Sequence, residues 1–259
     1  MRKILLFSLI LLVSSCKKEK NRNQALPIKT VMTVFAHADD ETTVSPVLAK
    51  YVREGIKVHL VIATDGRHGI RPHFGVPAGD SLALIREAEI RCAAETIGIS
   101  SLVLLDFEDG TLANPSTLQH LGKQVDSLFQ MIQPDLLMSW GPDGGYGHPD
   151  HRTISNISTE VFQKYPSHSG RKLCYFGLPR KAIFSIPSPK TELGKLLKSR
   201  WKTTNSDYLD SPIVVKKEDI EVGRTALACH QSQFTEAEMN DFYNILHQYS
   251  DTVYLRNWH

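Results

Sequence analysis

The chain has 259 residues, 41% hydrophobic and 22% charged, with a formal net charge of +2. At roughly 100–200 residues per domain, with α/β folds often larger, this favours one sizeable globular domain. The composition is ordinary, and so small a net charge gives no reason to invoke nucleic acid or another polyanion as a partner.

Met1-Arg2-Lys3 is a short basic region, residues 4–13 are almost wholly apolar, and Val13-Ser14-Ser15-Cys16 sets small residues before a cysteine. Ten apolar residues span about 15 Å as a helix, half of a bilayer core, which is too short for a transmembrane anchor. The layout is that of a secretory signal peptide over residues 1–15. V-S-S-C also resembles a bacterial lipobox, in which Cys16 is lipidated and becomes the mature N-terminus. A buried N-terminal helix is the competing reading, and the polar run at 17–24 argues against it. Residues 16–28 therefore read as a flexible tether and residues 29–259 as a single domain. The expectation is an exported lipoprotein, held to the membrane through its lipid only and facing the periplasm or the cell exterior. Cys92, Cys174 and Cys229 remain; with no C-x-x-C spacing they allow at most one bridge, and the spacing selects no pair.

After the tether, residues 30–36 (TVMTVFA) read as a buried strand and 41–54 as a helix ending at Gly55. Residues 57–63 form a second strand. The stretch 64–80, with four glycines, two prolines and two histidines, is a long loop. Helices follow at 81–96, 118–132 and 151–164, interleaved with strands at 102–105 and 136–139; 141–149 is a second glycine-rich loop. Beyond Arg171, 172–178, 182–186 and 252–255 look like strands, and 217–231 and 235–249 like helices. Strand alternating with helix predicts an α/β, Rossmann-like three-layer fold with a mostly parallel sheet. Right-handed crossovers then align the carboxyl ends of the strands along one edge, where sites assemble in such sheets.

Two concentrations of ligand-type residues fall on that edge. Phe35–Glu41 (FAHADDE) follows the first strand, and Tyr146-Gly147-His148-Pro149-Asp150-His151 follows the fourth, over a hundred residues later. Either alone is a weak signal, but parallel topology brings them together. Two histidines and a carboxylate make a common catalytic zinc set.

H-x-D-D-E paired with H-P-D-H resembles the PIG-L/LmbE-like family of metal-dependent N-deacetylases. Arg86-Glu87, Asp106-Phe107-Glu108-Asp109-Gly110 and His230-Gln231-Ser232-Gln233 stand in the family's order, so the resemblance spans about residues 30–234. It implies that His37, Asp40 and His151 bind the metal, Zn2+ or another divalent ion such as Fe2+. It further implies that Asp39 is the general base and that His148 stabilises or protonates the tetrahedral intermediate. Asp150 is expected to orient a neighbouring histidine, and Arg86, Asp109 and Tyr146 to line a pocket for a small-molecule or glycoconjugate substrate. Glu41 is read as an acid favouring a helix N-terminus, His68 and His73 as rim residues, and His230 as support for the site or for a helix end. The family usually has proline where this chain has Ala38; the change removes no ligand. The implied activity is removal of an acyl group, most simply acetyl, from an N-acylated amino sugar. Two alternatives remain open: a non-haem Fe(II) oxygenase using a two-histidine, one-carboxylate site, and a non-catalytic carbohydrate-binding lipoprotein. Oligomeric state is not legible.

Overall fold

A computed structural model describes residues 27–166, 170–180, 183, 188–247 and 250–259. The expected signal peptide, the lipidation site Cys16 and most of the expected strand at 182–186 lie outside them. Among the described residues no helix is long and apolar enough to cross a membrane.

The strands are β1 (Thr30–Phe35), β2 (Lys57–Thr64), β3 (Ser101–Phe107), β4 (Leu136–Ser139), β5 (Lys172–Phe176), β6 (Leu178–Pro179), β7 (Thr203–Thr204), β8 (Ser211–Val214) and β9 (Thr252–Asn257). The helices are α1 (Ser45–Arg53), α2 (Asp80–Ile97), α3 (Pro115–Ile132), α4 (Pro149–Gln163), α5 (Glu192–Arg200), α6 (Lys217–Leu227) and α7 (Glu236–His247). Seven strands make the main sheet in the order β3-β2-β1-β4-β5-β9-β8. The first five are parallel, and β9 and β8 complete it antiparallel. The expected α/β architecture is the one found.

The inner strands explain their own position. Val31, Met32, Val34 and Phe35 of β1, and Leu136, Leu137 and Met138 of β4, are almost wholly buried, as continuous apolar runs covered on both faces should be. Helices α1, α2 and α6 pack together, as do α3 and α4, which lie against β1 and β4. The chain runs outward from β1 through β2 to β3, then returns to place β4 on the other side of β1. Val34 pairs with Ser139, so the two strands end side by side. A crevice opens where the order reverses, and both ligand motifs lead out of it.

Several elements differ from expectation, among them the expected strand 172–178, which divides into β5 and β6, and the unanticipated β7. The helix expected at 41–54 divides into a 3-10 turn, Asp40–Thr43, and α1, which has Pro46 in its first turn, where the missing N–H costs nothing. Helix α5 was not anticipated, although Leu193, Leu196 and Leu197 stand at helical spacing and Thr191 caps it by accepting from Gly194 N. Strand β8 was also missed; it carries Pro212 at the sheet edge, where proline is tolerated.

Cys92 and Cys229 form a disulfide with Cα atoms 5.9 Å apart, joining α2 to the chain just beyond α6. Cys174 is free and buried. The pairing that cysteine spacing left open is thus decided by the fold.

Candidate active site

His37 Nδ1 lies 3.0 Å from His151 Nε2, His151 Nε2 lies 3.1 Å from Asp40 Oδ1, and His37 Nδ1 lies 3.7 Å from Asp40 Oδ2. With metal–ligand bonds of about 2.0–2.2 Å, donors around a tetrahedral ion stand roughly 3.4 Å apart. The His37–His151 spacing and the His151–Asp40 Oδ1 spacing therefore fit a divalent ion, and the 3.7 Å contact falls on the other oxygen of Asp40. Charge argues the same way. Asp39, Asp40, Asp109 and Asp150 are gathered in one mostly buried site, with the Arg86 guanidinium 3.3 Å from Asp39 and Arg71 and Arg200 lining the pocket beside Asp39 and Asp40. Burying so many carboxylates is costly without a compensating cation.

Each donor is aimed by a second contact. His151 Nδ1 is 3.2 Å from Gly144 O, so Nδ1 carries the proton and the Nε2 lone pair faces the other donors. Gly144 has φ +65, and a Cβ there would stand 2.9 Å from His148 O, so only glycine presents this carbonyl without strain. The other nitrogen of His37, Nε2, lies 3.2 Å from Asp109 Oδ1 and 3.4 Å from Asp150 Oδ2, which leaves Nδ1 as its free lone pair. Asp150 also accepts from Gly110 N at 2.8 Å and Leu112 N at 3.1 Å, tying the loop after β3 to α4. Burial would lower the His37 imidazole, but Asp109, Asp150 and Asp40 outweigh it and raise it well above its ordinary range.

Asp40 Oδ2 accepts from Ala36 N and His37 N at 3.0 Å each and from Trp140 Nε1 at 2.8 Å. The Trp140 ring stacks on His151 with centroids 4.4 Å apart and planes 5° from parallel. No sequence signal had singled out Trp140.

Asp39 has φ +114, a left-handed backbone that costs a non-glycine residue about 1–3 kcal/mol. Its N–H donates to Glu41 Oε2 at 2.9 Å, and its carbonyl accepts from Thr42 N at 3.1 Å and Thr42 Oγ1 at 2.5 Å. Its carboxylate is 3.3 Å from Arg86 Nη2, which also donates to the Ala38 carbonyl. Burial raises the Asp39 carboxyl above its ordinary range, with Arg86 opposing. Arg86 is 3% exposed, behind Asp39 rather than on open surface. Ala38 thus contributes its carbonyl, which a proline would also supply.

Glu41 stands in the first turn of the 3-10 helix, as expected of an acid at a helix start, but it also has a distant partner. It is fully buried, with Oε1 2.6 Å from His230 Nε2. The bend after α6 that carries His230 is itself latched: Ser232 bonds Glu89 through N and Oγ at 2.6 and 2.7 Å, and Gln233 donates to Gly69 O. His148 Nδ1 accepts from Asp150 N at 3.2 Å, so the neutral ring carries its proton on Nε2. Burial and the neighbouring imidazoles push His148 down to about 4. One ring nitrogen from each of His37, His148 and His151 lies within 4.8 Å of the others, a set that could also hold a metal ion. Tyr146 lies over His151, ring centroids 5.2 Å apart. His68 bonds Glu108 at 3.0 Å and His73 bonds Gln231 O at 2.9 Å, both at the rim as expected.

A family profile described as GlcNAc-PI de-N-acetylase matches residues 32–162, from β1 to the end of α4. The chain belongs to the PIG-L family. Among PIG-L relatives, the 1D-myo-inositol 2-acetamido-2-deoxy-alpha-D-glucopyranoside deacetylase 2 of Catenulispora acidiphila is 24% identical over 245 residues, covering 80% of each chain. The corresponding deacetylase of Mycolicibacterium smegmatis is 27% identical over 237 residues, covering 80% of this chain and 81% of its own. Among solved structures, N,N'-diacetylchitobiose deacetylase from Pyrococcus horikoshii superposes with TM-score 0.67 at 18% identity, over 92% of this chain and 86% of that one. GalB, the 4-carboxy-2-hydroxymuconate hydratase of Pseudomonas putida, superposes equally well, TM-score 0.67 at 15% identity over 90% and 97%. Likeness at these identities speaks for the fold, which does not by itself fix the reaction. The PIG-L match favours the deacetylase expectation over the oxygenase one.

Proposed function

We propose that this PIG-L member is a zinc-dependent N-deacetylase that hydrolyses the N-acyl amide, acetyl in the simplest case, of an amino sugar or glycoconjugate. The observation that carries this reading is His151 Nε2 standing 3.0 Å from His37 Nδ1 and 3.1 Å from Asp40 Oδ1, beside an Asp39 held by Arg86. A divalent ion there supplies Lewis acidity and brings the pKa of a coordinated water to about 7.

The side chains divide the remaining work. Asp40 offers Oδ1, because Oδ2 is occupied by three donors. Asp109 and Asp150 steady His37 through Nε2. Asp39 takes the proton from the attacking water and passes it to the leaving amine. His148, its Nδ1 engaged by Asp150 N, turns an Nε2–H towards the carbonyl oxygen and stabilises the oxyanion as a neutral donor. Arg86 orients Asp39 more than it touches substrate, and Tyr146 forms a wall over His151. The disulfide Cys92–Cys229 supports export to an oxidising compartment, and lipidation at Cys16 rests on the V-S-S-C sequence.

The test is acetate release from a panel of N-acetylated glucosamine derivatives by zinc-loaded protein beside its Asp39→Ala variant. Turnover that falls by at least 100-fold in the variant is expected; no release from any derivative would overturn the reading. Acyl labelling lost in Cys16→Ala tests the anchor.

A further inference from the structure

Helix α2 meets the surroundings of Asp39 through residues three apart on one side of it. Arg86 reaches the Asp39 carboxylate at 3.3 Å, Glu89 accepts from Ser232 N and Oγ, and Cys92 is bonded to Cys229. The last two contacts hold the chain on either side of His230. His230 is fully buried with Nε2 2.6 Å from Glu41 Oε1, and Glu41 Oε2 accepts the Asp39 N–H at 2.9 Å. Asp39 is therefore held from α2 twice. Arg86 takes its carboxylate directly, and the path through Cys229, His230 and Glu41 takes its backbone. Its φ of +114 is a conformation that the surrounding contacts must enforce. Hydrogen bonds from Ser232 secure the far side of His230, while the bridge is the covalent tie on the near side. That tie is open to solvent, since Cys92 is exposed and Cys229 half-buried.

We infer that the Cys92–Cys229 bridge is a positioning element for Asp39, and that its reduction slows the reaction while the chain stays folded. Resting on the reading of Asp39 as the base, the inference makes turnover depend on redox state. The reductant is a dithiol. Its thiolate attacks one sulfur of the bridge, the S–S bond breaks, and the other cysteine leaves as a thiolate that takes up a proton. The reductant's second thiol then closes on the mixed disulfide and releases the first cysteine. Two electrons pass to the protein, and the reductant departs as its own disulfide. Without the tie, His230 is held by hydrogen bonds alone, Glu41 follows it, and the Asp39 N–H loses a fixed acceptor. A misplacement of about 1 Å costs about 100-fold in rate. The cavity beside Asp39, about 260 Å³, draws much of its wall from α5 and the residue after it, Leu193, Leu196, Leu197, Arg200 and Trp201. The bridge does not touch that wall, so substrate binding changes less than turnover.

The experiment follows zinc-loaded protein before dithiothreitol, after it, and after reoxidation. Amine release from N-acetylated glucosamine derivatives gives kcat and KM, circular dichroism reports folding, and hydrogen exchange is read on peptides covering residues 37–43. The expected result is an unchanged dichroism spectrum, with kcat lower by about tenfold or more and KM within about threefold. Exchange over the Asp39 turn should quicken by about tenfold or more, and reoxidation should reverse both changes. Cys92→Ser/Cys229→Ser, which has no bridge, should start at the reduced protein's values and ignore dithiothreitol. A response in that variant equal to the wild type's would overturn the inference, because the bridge would not be what the reductant acts on. A folded, reduced enzyme with kcat unchanged, or with exchange unchanged, would overturn it as well. So would unfolding on reduction, which would make the bridge a support of the whole fold rather than of Asp39. Exchange needs no turnover. Reversible quickening in a protein that deacetylates nothing would uphold the coupling and overturn the deacetylase reading.

Discussion

The indole N–H of Trp140 donates to Asp40 Oδ2 at 2.8 Å, while its ring lies flat on His151. One side chain at the end of β4 thus steers two of the three converging donors. Asp40 is left with a single oxygen free, Oδ1, on the side of His151 Nε2. Outer contacts of this kind set ligand orientation and basicity.

Trp140→Phe keeps a ring on His151 and deletes the donor. Zinc affinity, measured by competition with a fluorescent chelator, should fall 10–100-fold, and the folded state should lose about 1 kcal/mol. Unchanged affinity would mean that the two backbone donors to Asp40 suffice.

The Glu41–His230 pair predicts an effect on rate from residues that touch no substrate. Glu41 Oε2 accepts the N–H of Asp39 and its Oε1 meets His230, so the pair holds the left-handed Asp39 in place. His230→Ala leaves a fully buried carboxylate without its partner, at a cost of about 3–5 kcal/mol. His230→Gln, which retains a donor, should cost less. In both variants kcat should drop more than KM rises, because the base is displaced while the cavity walls are not. A change confined to KM would assign His230 to substrate binding.

These residues also mark where sequence reasoning stopped. FAHADDE and GHPDH were legible because they pair ligand-type residues at the ends of two apolar, β-branched-rich runs, and parallel topology fixes where such ends meet. Asp109 and Arg86 are legible by their order along the chain as pocket residues, but not their contacts: one stands against His37, the other against Asp39. Trp140 and the buried partner of Glu41 were missed for a shared reason. A tryptophan after a strand reads as core, and an acid before a helix reads as a dipole partner, until a distant residue supplies the hydrogen bond. His230 is 189 residues from Glu41, and no local pattern links them. Helix α5 was the avoidable miss, since its leucines keep a helical period.

The Cys92–Cys229 bridge closes a loop 137 residues apart in sequence. Constraining so long a segment of the unfolded chain stabilises the fold by about 2–5 kcal/mol. Urea unfolding of Cys92→Ser should show a loss of that size, and dithiothreitol should reproduce it in the wild type without affecting the variant. Equal midpoints with and without reductant would show that the bridge contributes nothing.

Acid should weaken the fold through a pair remote from the site. Arg53 Nε and Nη2 donate to Asp219 at 2.8 and 2.9 Å, joining α1 to α6, and Asp219 Oδ2 also accepts the N–H of Lys216 at 2.7 Å. Burial alone would raise the Asp219 carboxyl, but the Arg53 fork and the Lys216 N–H outweigh it and hold it below its ordinary range. A depressed folded-state pKa means that the unfolded chain binds the proton more readily. The stabilisation is therefore fully present above the unfolded value of about 3.9 and is lost as pH falls below it towards the folded value. Asp219→Asn should cost about 1–3 kcal/mol at pH 7 and flatten the fall in stability below pH 4, as read from urea midpoints across pH. Because α1 and α6 lead away from the Glu41 turn and towards His230, activity in the variant should follow the folded fraction. A loss of kcat in fully folded Asp219→Asn would instead tie this pair to the geometry of Asp39.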